Sequence, residues 1–192
     1  MGNMLELRDA RLADGRATCI LIDGDMIVGV DVAPSAGNQF LDVRGLTVIP
    51  ALNLPHVHDR TPGGEYKEDW DHLDRAGALG GVATISRMPN TSPPTTTYKL
   101  LFEVIRLIGA RGLDWRSWFG ATNTNFEEVA RALEHPLCCG LKIFAGSSEG
   151  PLLVSGRREQ RKHLALCAAL GKPAAVHSEK ESIVRRNRGR NK

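Results

Sequence analysis

The stretch Val48-Ile49-Pro50-Ala51-Leu52-Asn53-Leu54-Pro55-His56-Val57-His58-Asp59-Arg60 decides how the chain is read. Its apolar run predicts a buried strand ending in two histidines with one residue between them. Side chains at i and i+2 of a strand share a face, so His56 and His58 can converge beyond the strand's carboxyl end. Imidazoles so placed suit a divalent metal such as zinc, iron, nickel or copper. Two surface histidines would show the same spacing, and His-x-His alone leaves both readings open.

Working outward, strands alternate with helices. A helical pattern over Asp69 to Leu79 stops at Gly80-Gly81, and Val82 to Ser86 reads as a second strand followed by a Pro/Thr-rich loop, Met88 to Thr97. Tyr98 to Ala110 is amphipathic, with Leu100, Leu101, Val104, Leu107 and Ile108 on one face. Trp115 to Gly120 predicts a third strand. Asn125 with Glu128 three residues on resembles a capping box opening a helix to about His135. Leu141 to Ala145 is a fourth strand with the loop Gly146 to Gly150, Gln160 to Leu170 a helix, and Pro173 to Val176 a fifth strand running into His177. Such βα alternation implies a parallel sheet with its chemistry on the loops after the strands. His58, Asn90, Lys142 and His177 all fall at or just past predicted strand ends.

Ahead of this lies a β-rich segment. Leu5 and Leu7 alternate with polar neighbours, and Asp23-Gly24-Asp25 between two apolar runs signals a hairpin. A short strand follows at Gln39 to Val43. The expected organisation is a small β-sandwich part over residues 1–47 and an α/β unit over 48–192.

Composition narrows the class. At 192 residues, 42% hydrophobic and 24% charged, the chain is an ordinary globular one. Four cysteines without a CxxC pair predict reduced thiols in the cytoplasm. The opening residues carry no signal-peptide pattern, and no apolar run approaches the roughly 20 residues of a membrane span. The net charge is +3, but Arg185, Arg186, Arg188, Arg190 and Lys192 supply five positive charges, so the body without them stands at −2. These five read as a solvated, disordered end, and neither membrane nor nucleic acid is expected as a partner.

Each candidate group has two readings from its position alone. Lys142 inside Leu-Lys-Ile-Phe-Ala either snorkels to the strand end or stays neutral and captures carbon dioxide as a metal-bridging carbamate, since a buried ammonium is costly. Arg60 makes a surface ion pair or a bidentate fork on a carboxylate. Asn90 in Met88-Pro89-Asn90-Thr91 is a turn residue or an amide aimed at a ligand. His72, His135 and His163 read as surface groups, and Cys138-Cys139 as core thiols.

His56-Val57-His58-Asp59-Arg60-Thr61-Pro62-Gly63 resembles the His-x-His-x-Arg-x-Pro-Gly signature of dihydroorotases in the amidohydrolase superfamily. Tyr66 to Asp69, Ala78 to Thr84, Met88 to Thr97, Phe119 to Asn123, Gly140 to Ser148 and Val176 to Glu179 look like the same family in the same order. The resemblance implies a (β/α) barrel and an enzyme that interconverts N-carbamoyl-aspartate and dihydroorotate in pyrimidine synthesis. It implies a binuclear zinc centre held by His56, His58, carbamylated Lys142 and His177, with Arg60 and Asn90 on the substrate carboxylate.

The chain departs from that pattern in several places. Leu54 stands where the family has an aspartate, and Arg87 where it has an acidic residue before Met-Pro-Asn. Five strand signals, against the eight of a barrel, predict an incomplete TIM-type (β/α) barrel. Its sixth-strand histidine and the eighth-strand aspartate that serves as general base have no match here, so no catalytic base is assigned. Three expectations follow. One is a hydrolase completed by a homo-oligomer or complementing chain, dihydroorotase-like or hydantoinase-like. Another is an inactive module that binds a partner such as aspartate transcarbamoylase. The third is a non-functional fragment.

Overall fold

The computed structural model describes residues 4–146 and 152–187. The chain divides into two units, residues 1–51 and 52–192.

In the first unit, alternating apolar residues pair β1 (Met4–Arg11) with β2 (Ala17–Asp23), antiparallel, through Leu5↔Ile22 and Leu7↔Ile20. The Asp-Gly turn returns the chain into β3 (Met26–Val30), with Gly24 at φ +55°, a conformation open to glycine because it lacks a Cβ. β4 (Gln39–Asp42) runs parallel to β1, giving the order β3-β2-β1-β4. Ala10, Ile20 and Val43 form the core, with Val48 packed against it. Alternation puts Glu6 among the polar neighbours, yet it is buried. It accepts hydrogen bonds from Asn38 Nδ2 (2.8 Å), Arg8 Nε (2.8 Å) and Ser35 N (3.0 Å). These bonds, the Asn38 amide first, hold its carboxyl below the ordinary carboxylate range.

The second unit is an arc of five parallel strands: β5 (Leu52–Val57), β6 (Val82–Arg87), β7 (Asp114–Gly120), β8 (Cys138–Phe144) and β9 (Ala174–His177). Each pairs with its predecessor. The helices are α1 (Trp70–Leu79), α2 (Tyr98–Ile108), α3 (Phe126–Leu133), α4 (Arg157–Ala169) and α5 (Glu181–Asn187). Ile85, Phe119, Leu141 and Ile143 from the strands pack with Leu101, Ile108, Val129 and Leu133 from α2 and α3. The βα alternation of the sequence is thus realised as a half-barrel sheet.

Several local expectations are corrected. The strand bearing His56 begins at Leu52, not Val48, and it is exposed rather than buried, with Leu52 at 50% and Leu54 at 36%. Its neighbour in the sheet lies on one side only, so its other backbone edge carries no strand pairing among the described residues. On α2 the buried face is Leu101, Val104, Ile105 and Ile108, while Leu107 is exposed. Asn125 makes no capping bond. Its Oδ1 accepts from Thr122 N, its Nδ2 donates to Thr96 O and Gly120 O, and Glu128 accepts from Tyr98 N at the start of α2. Tertiary partners have taken both members of the box. Arg185 and Arg186 are not a disordered end but the last turn of α5, where Arg185 Nε meets Glu181 at 2.5 Å. Arg188, Arg190, Lys192 and most of the loop after β8 lie outside the described residues.

His163 is also corrected. It is fully buried, stacked on Phe126 (ring centroids 4.3 Å apart), with Nε2 2.8 Å from Thr122 O and Nδ1 without a partner among the described residues. Burial pushes its imidazole below the ordinary 6.5. As pH falls the unfolded chain therefore takes up the proton first, so this contribution is full above about 6.5 and is lost as pH drops through the depressed folded value. His163→Gln keeps a donor for Thr122 O and cannot titrate. Urea midpoints measured at pH 7.5 and 5.5 should fall less for this variant than for the parent chain; equal falls would remove His163 from the account.

Candidate functional site

A parallel sheet brings all its strand carboxyl ends to one edge, and the candidate residues lie along it. His56 is the penultimate residue of β5 and His58 lies one residue past its end. The alternation still holds locally, because the two Nε2 atoms stand 3.3 Å apart with ring centroids at 5.2 Å. Asn90 follows β6, and its Oδ1 lies 2.7 Å from His58 Nδ1. That contact makes Nδ1 the protonated nitrogen of His58 and leaves Nε2 as the acceptor.

Lys142 lies on β8 and is only 2% exposed. It does not snorkel. Its Nζ sits 5.0 Å from the Phe144 ring centroid, and it forms no ion pair among the described residues. Burial lowers its ammonium from the ordinary value, favouring the neutral amine. His177 ends β9 in register with Phe144, and its Nε2 is buried without a hydrogen bond among the described residues, 3.5 Å from Glu179 Oε2. His56 is pushed down, first by burial and then by the charges of Lys142, His58 and His177. His56, His58, Lys142 and His177 thus share one field. Even so, no third histidine, cysteine or carboxylate among the described residues comes within 4.8 Å of both His56 and His58.

Arg60 and Asn90 line a cavity of about 180 Å³ with Pro62, Gly63, Gly64, Tyr66, Lys67, Thr91 and Ser92. Asn90 Nδ2 is buried and has no partner among the described residues, so a donor remains on the same amide that holds His58. A larger hollow of about 710 Å³ lies beside β9 and α5 and contains none of these six residues. The metal-donor cluster of Glu68, Asp69 and His72 has a structural explanation: Asp69 caps α1, accepting from His72 N and meeting His72 Nδ1 at 2.8 Å.

Sequence reasoning missed the neighbours behind this edge. Asp59 and Arg87 are both fully buried and joined, Nε to Oδ2, at 2.6 Å. Trp70 Nε1 also donates to Asp59 Oδ2 at 2.5 Å. The Arg87 guanidinium reaches Thr61 O (2.7 Å), Thr95 Oγ1 (3.3 Å) and Ser117 Oγ (3.4 Å). The one available signal was Arg87 itself, a charged residue closing an apolar strand.

No protein-family model matches the chain. A dihydroorotase of Desulforapulum autotrophicum is 30% identical over 184 residues, covering 96% of this chain and 41% of that protein. A dihydroorotase of Halobacterium salinarum is 45% identical over 95 residues, covering 49% of this chain and 22% of that protein. Among solved structures, an L-hydantoinase (dihydropyrimidinase) from Arthrobacter aurescens superposes with a TM-score of 0.83 at 23% identity, over 99% of this chain and 44% of that one. The chain spans less than half the length of each of these. The half-barrel of parallel strands is thus the fold of the corresponding 44% of that hydantoinase. Over most of its length the chain is 30% identical to dihydroorotases, that of Desulforapulum autotrophicum among them, and to an allantoinase of Enterococcus faecalis that covers 86% of it, and it is similar to the dihydroorotases and related cyclic amidohydrolases.

Proposed function

We propose that this stretch carries the amino-terminal share of a binuclear zinc site that interconverts dihydroorotate and N-carbamoyl-aspartate. The observation that carries the reading is the convergence of His56 and His58 Nε2, 3.3 Å apart, on the same parallel sheet as a buried Lys142 that makes no ion pair among the described residues.

The chemistry of the donors suits zinc, although His56, His58 and His177 do not all lie within 4.8 Å of one another. His58 presents Nε2 because Asn90 occupies its Nδ1, and His177 Nε2 is a buried nitrogen with no hydrogen bond among the described residues. His56, His58, His177 and a carbamate on Lys142 would hold the two ions. Bound there, zinc would supply Lewis acidity toward the amide carbonyl and a source of hydroxide near neutral pH. The residues of this chain do the rest of what can be assigned. Arg60, with five donors in a planar fork, and Asn90, through Nδ2, bind and orient the substrate carboxylate. Hydantoin rings lack that carboxylate, so these two residues favour dihydroorotate. Proton transfer needs a general base, which these residues do not include. The four free cysteines accord with a cytoplasmic enzyme.

The test pairs zinc analysis with ¹³C NMR. The purified chain, incubated with ¹³C-bicarbonate and zinc, should show a carbamate carbon and retain zinc through gel filtration, with dihydroorotate hydrolysis assayed on the same sample. Lys142→Met should lose the carbamate signal and most of the zinc. Zinc retention that is the same in both proteins would overturn the reading.

A further inference from the structure

Arg60 has φ +60°, in the left-handed region that residues with a Cβ adopt only at a cost. What holds it there comes from both sides. Arg87 Nε donates to the Asp59 carboxylate at 2.6 Å, and Nη2 of the same guanidinium donates to the Thr61 carbonyl at 2.7 Å. One planar group thus clamps the residue before Arg60 and the residue after it. The clamp is anchored in turn, to Thr95 before α2, to Ser117 on β7 and, through Asp59, to Trp70 on α1.

We propose that the buried Asp59–Arg87 pair is a positioning device that sets the Arg60 turn, and with it the guanidinium that binds the substrate carboxylate. The substrate half of this statement rests on the function proposed above; the clamp itself does not. Packing alone does not account for the pair, because a buried ion pair is commonly replaced by apolar residues of similar volume with no loss of stability. Apolar side chains have no donor for Thr61 O and nothing to hold the left-handed turn.

The double variant Asp59→Leu/Arg87→Met removes both charges together, so neither is left buried and uncompensated. Three measurements are made on it: melting temperature, amide hydrogen exchange at Arg60, Thr61, Gly63 and Gly64, and dihydroorotate affinity by titration calorimetry. The expected result is a melting temperature lowered less than in Arg87→Met alone, exchange in those four amides faster by about tenfold or more, and affinity weaker by a similar factor, about 1.4 kcal/mol by the standard conversion. Unchanged exchange in a folded double variant overturns the proposal. If the parent chain binds no dihydroorotate, the proposed function falls, and the exchange data alone decide the clamp. If the double variant does not fold, Arg87→Lys decides. It keeps a cation beside Asp59 but has no fork to span both contacts, so exchange should rise at the same amides, and unchanged exchange again overturns the clamp.

Discussion

Arg87→Met alone should cost the second unit about 3–5 kcal/mol, the usual penalty for leaving one partner of a buried ion pair uncompensated. The reason lies in what the substitution leaves behind. Asp59 is fully buried and would keep only the Trp70 indole as a partner, while Thr61 O, Thr95 Oγ1 and Ser117 Oγ would each lose a donor. The asymmetry matters more than the number of bonds, because desolvating a carboxylate is repaid only while its cation is present. Urea unfolding followed by tryptophan fluorescence would report it, since Trp70 and Trp115 pack edge to face with ring centroids 6.4 Å apart in this unit. A loss below about 1 kcal/mol, the range of an exposed pair, would mean that water reaches Asp59.

The second large effect concerns zinc. His58→Ala should weaken zinc binding by more than the roughly 10–100-fold that loss of an outer hydrogen-bond partner costs. Asn90→Ala should fall within that range, because it removes the group that fixes the His58 tautomer, with Oδ1 2.7 Å from Nδ1. The ordering is the informative part. If Asn90 served only the substrate, Asn90→Ala would bind zinc like the parent chain and would differ only in dihydroorotate affinity. Competition titrations against a zinc chelator dye separate the two outcomes.

Particular residues show what could be read from the sequence. Gly80-Gly81, Gly112 and Gly171 punctuate the strands and helices plainly, because ending a helix and starting a strand are local events. His-x-His was legible for the same reason, since a two-residue period needs only a strand end. The Asp59–Arg87 pair was not, because its members lie 28 residues apart and each resembles a solvated charge until the fold closes over both. Asn125 and Glu128 misled in the opposite direction. Their spacing is a local capping signal, but Thr96, Gly120 and Tyr98 offered those side chains better partners from other elements. His163 sits in a helix whose residues are mostly polar, so its small buried face against Phe126 left little periodic trace.

The strand order β5-β6-β7-β8-β9 has a bearing on how the second unit comes into being. Every strand after β5 is paired with the one synthesised just before it, so no pairing waits for a distant part of the chain, and the loop-closure entropy of each step is that of a single βα repeat. The arc can therefore lengthen during translation, each newly laid edge acting as the template for the strand that follows. The order in which these strands leave the ribosome is the order in which they stand in the sheet.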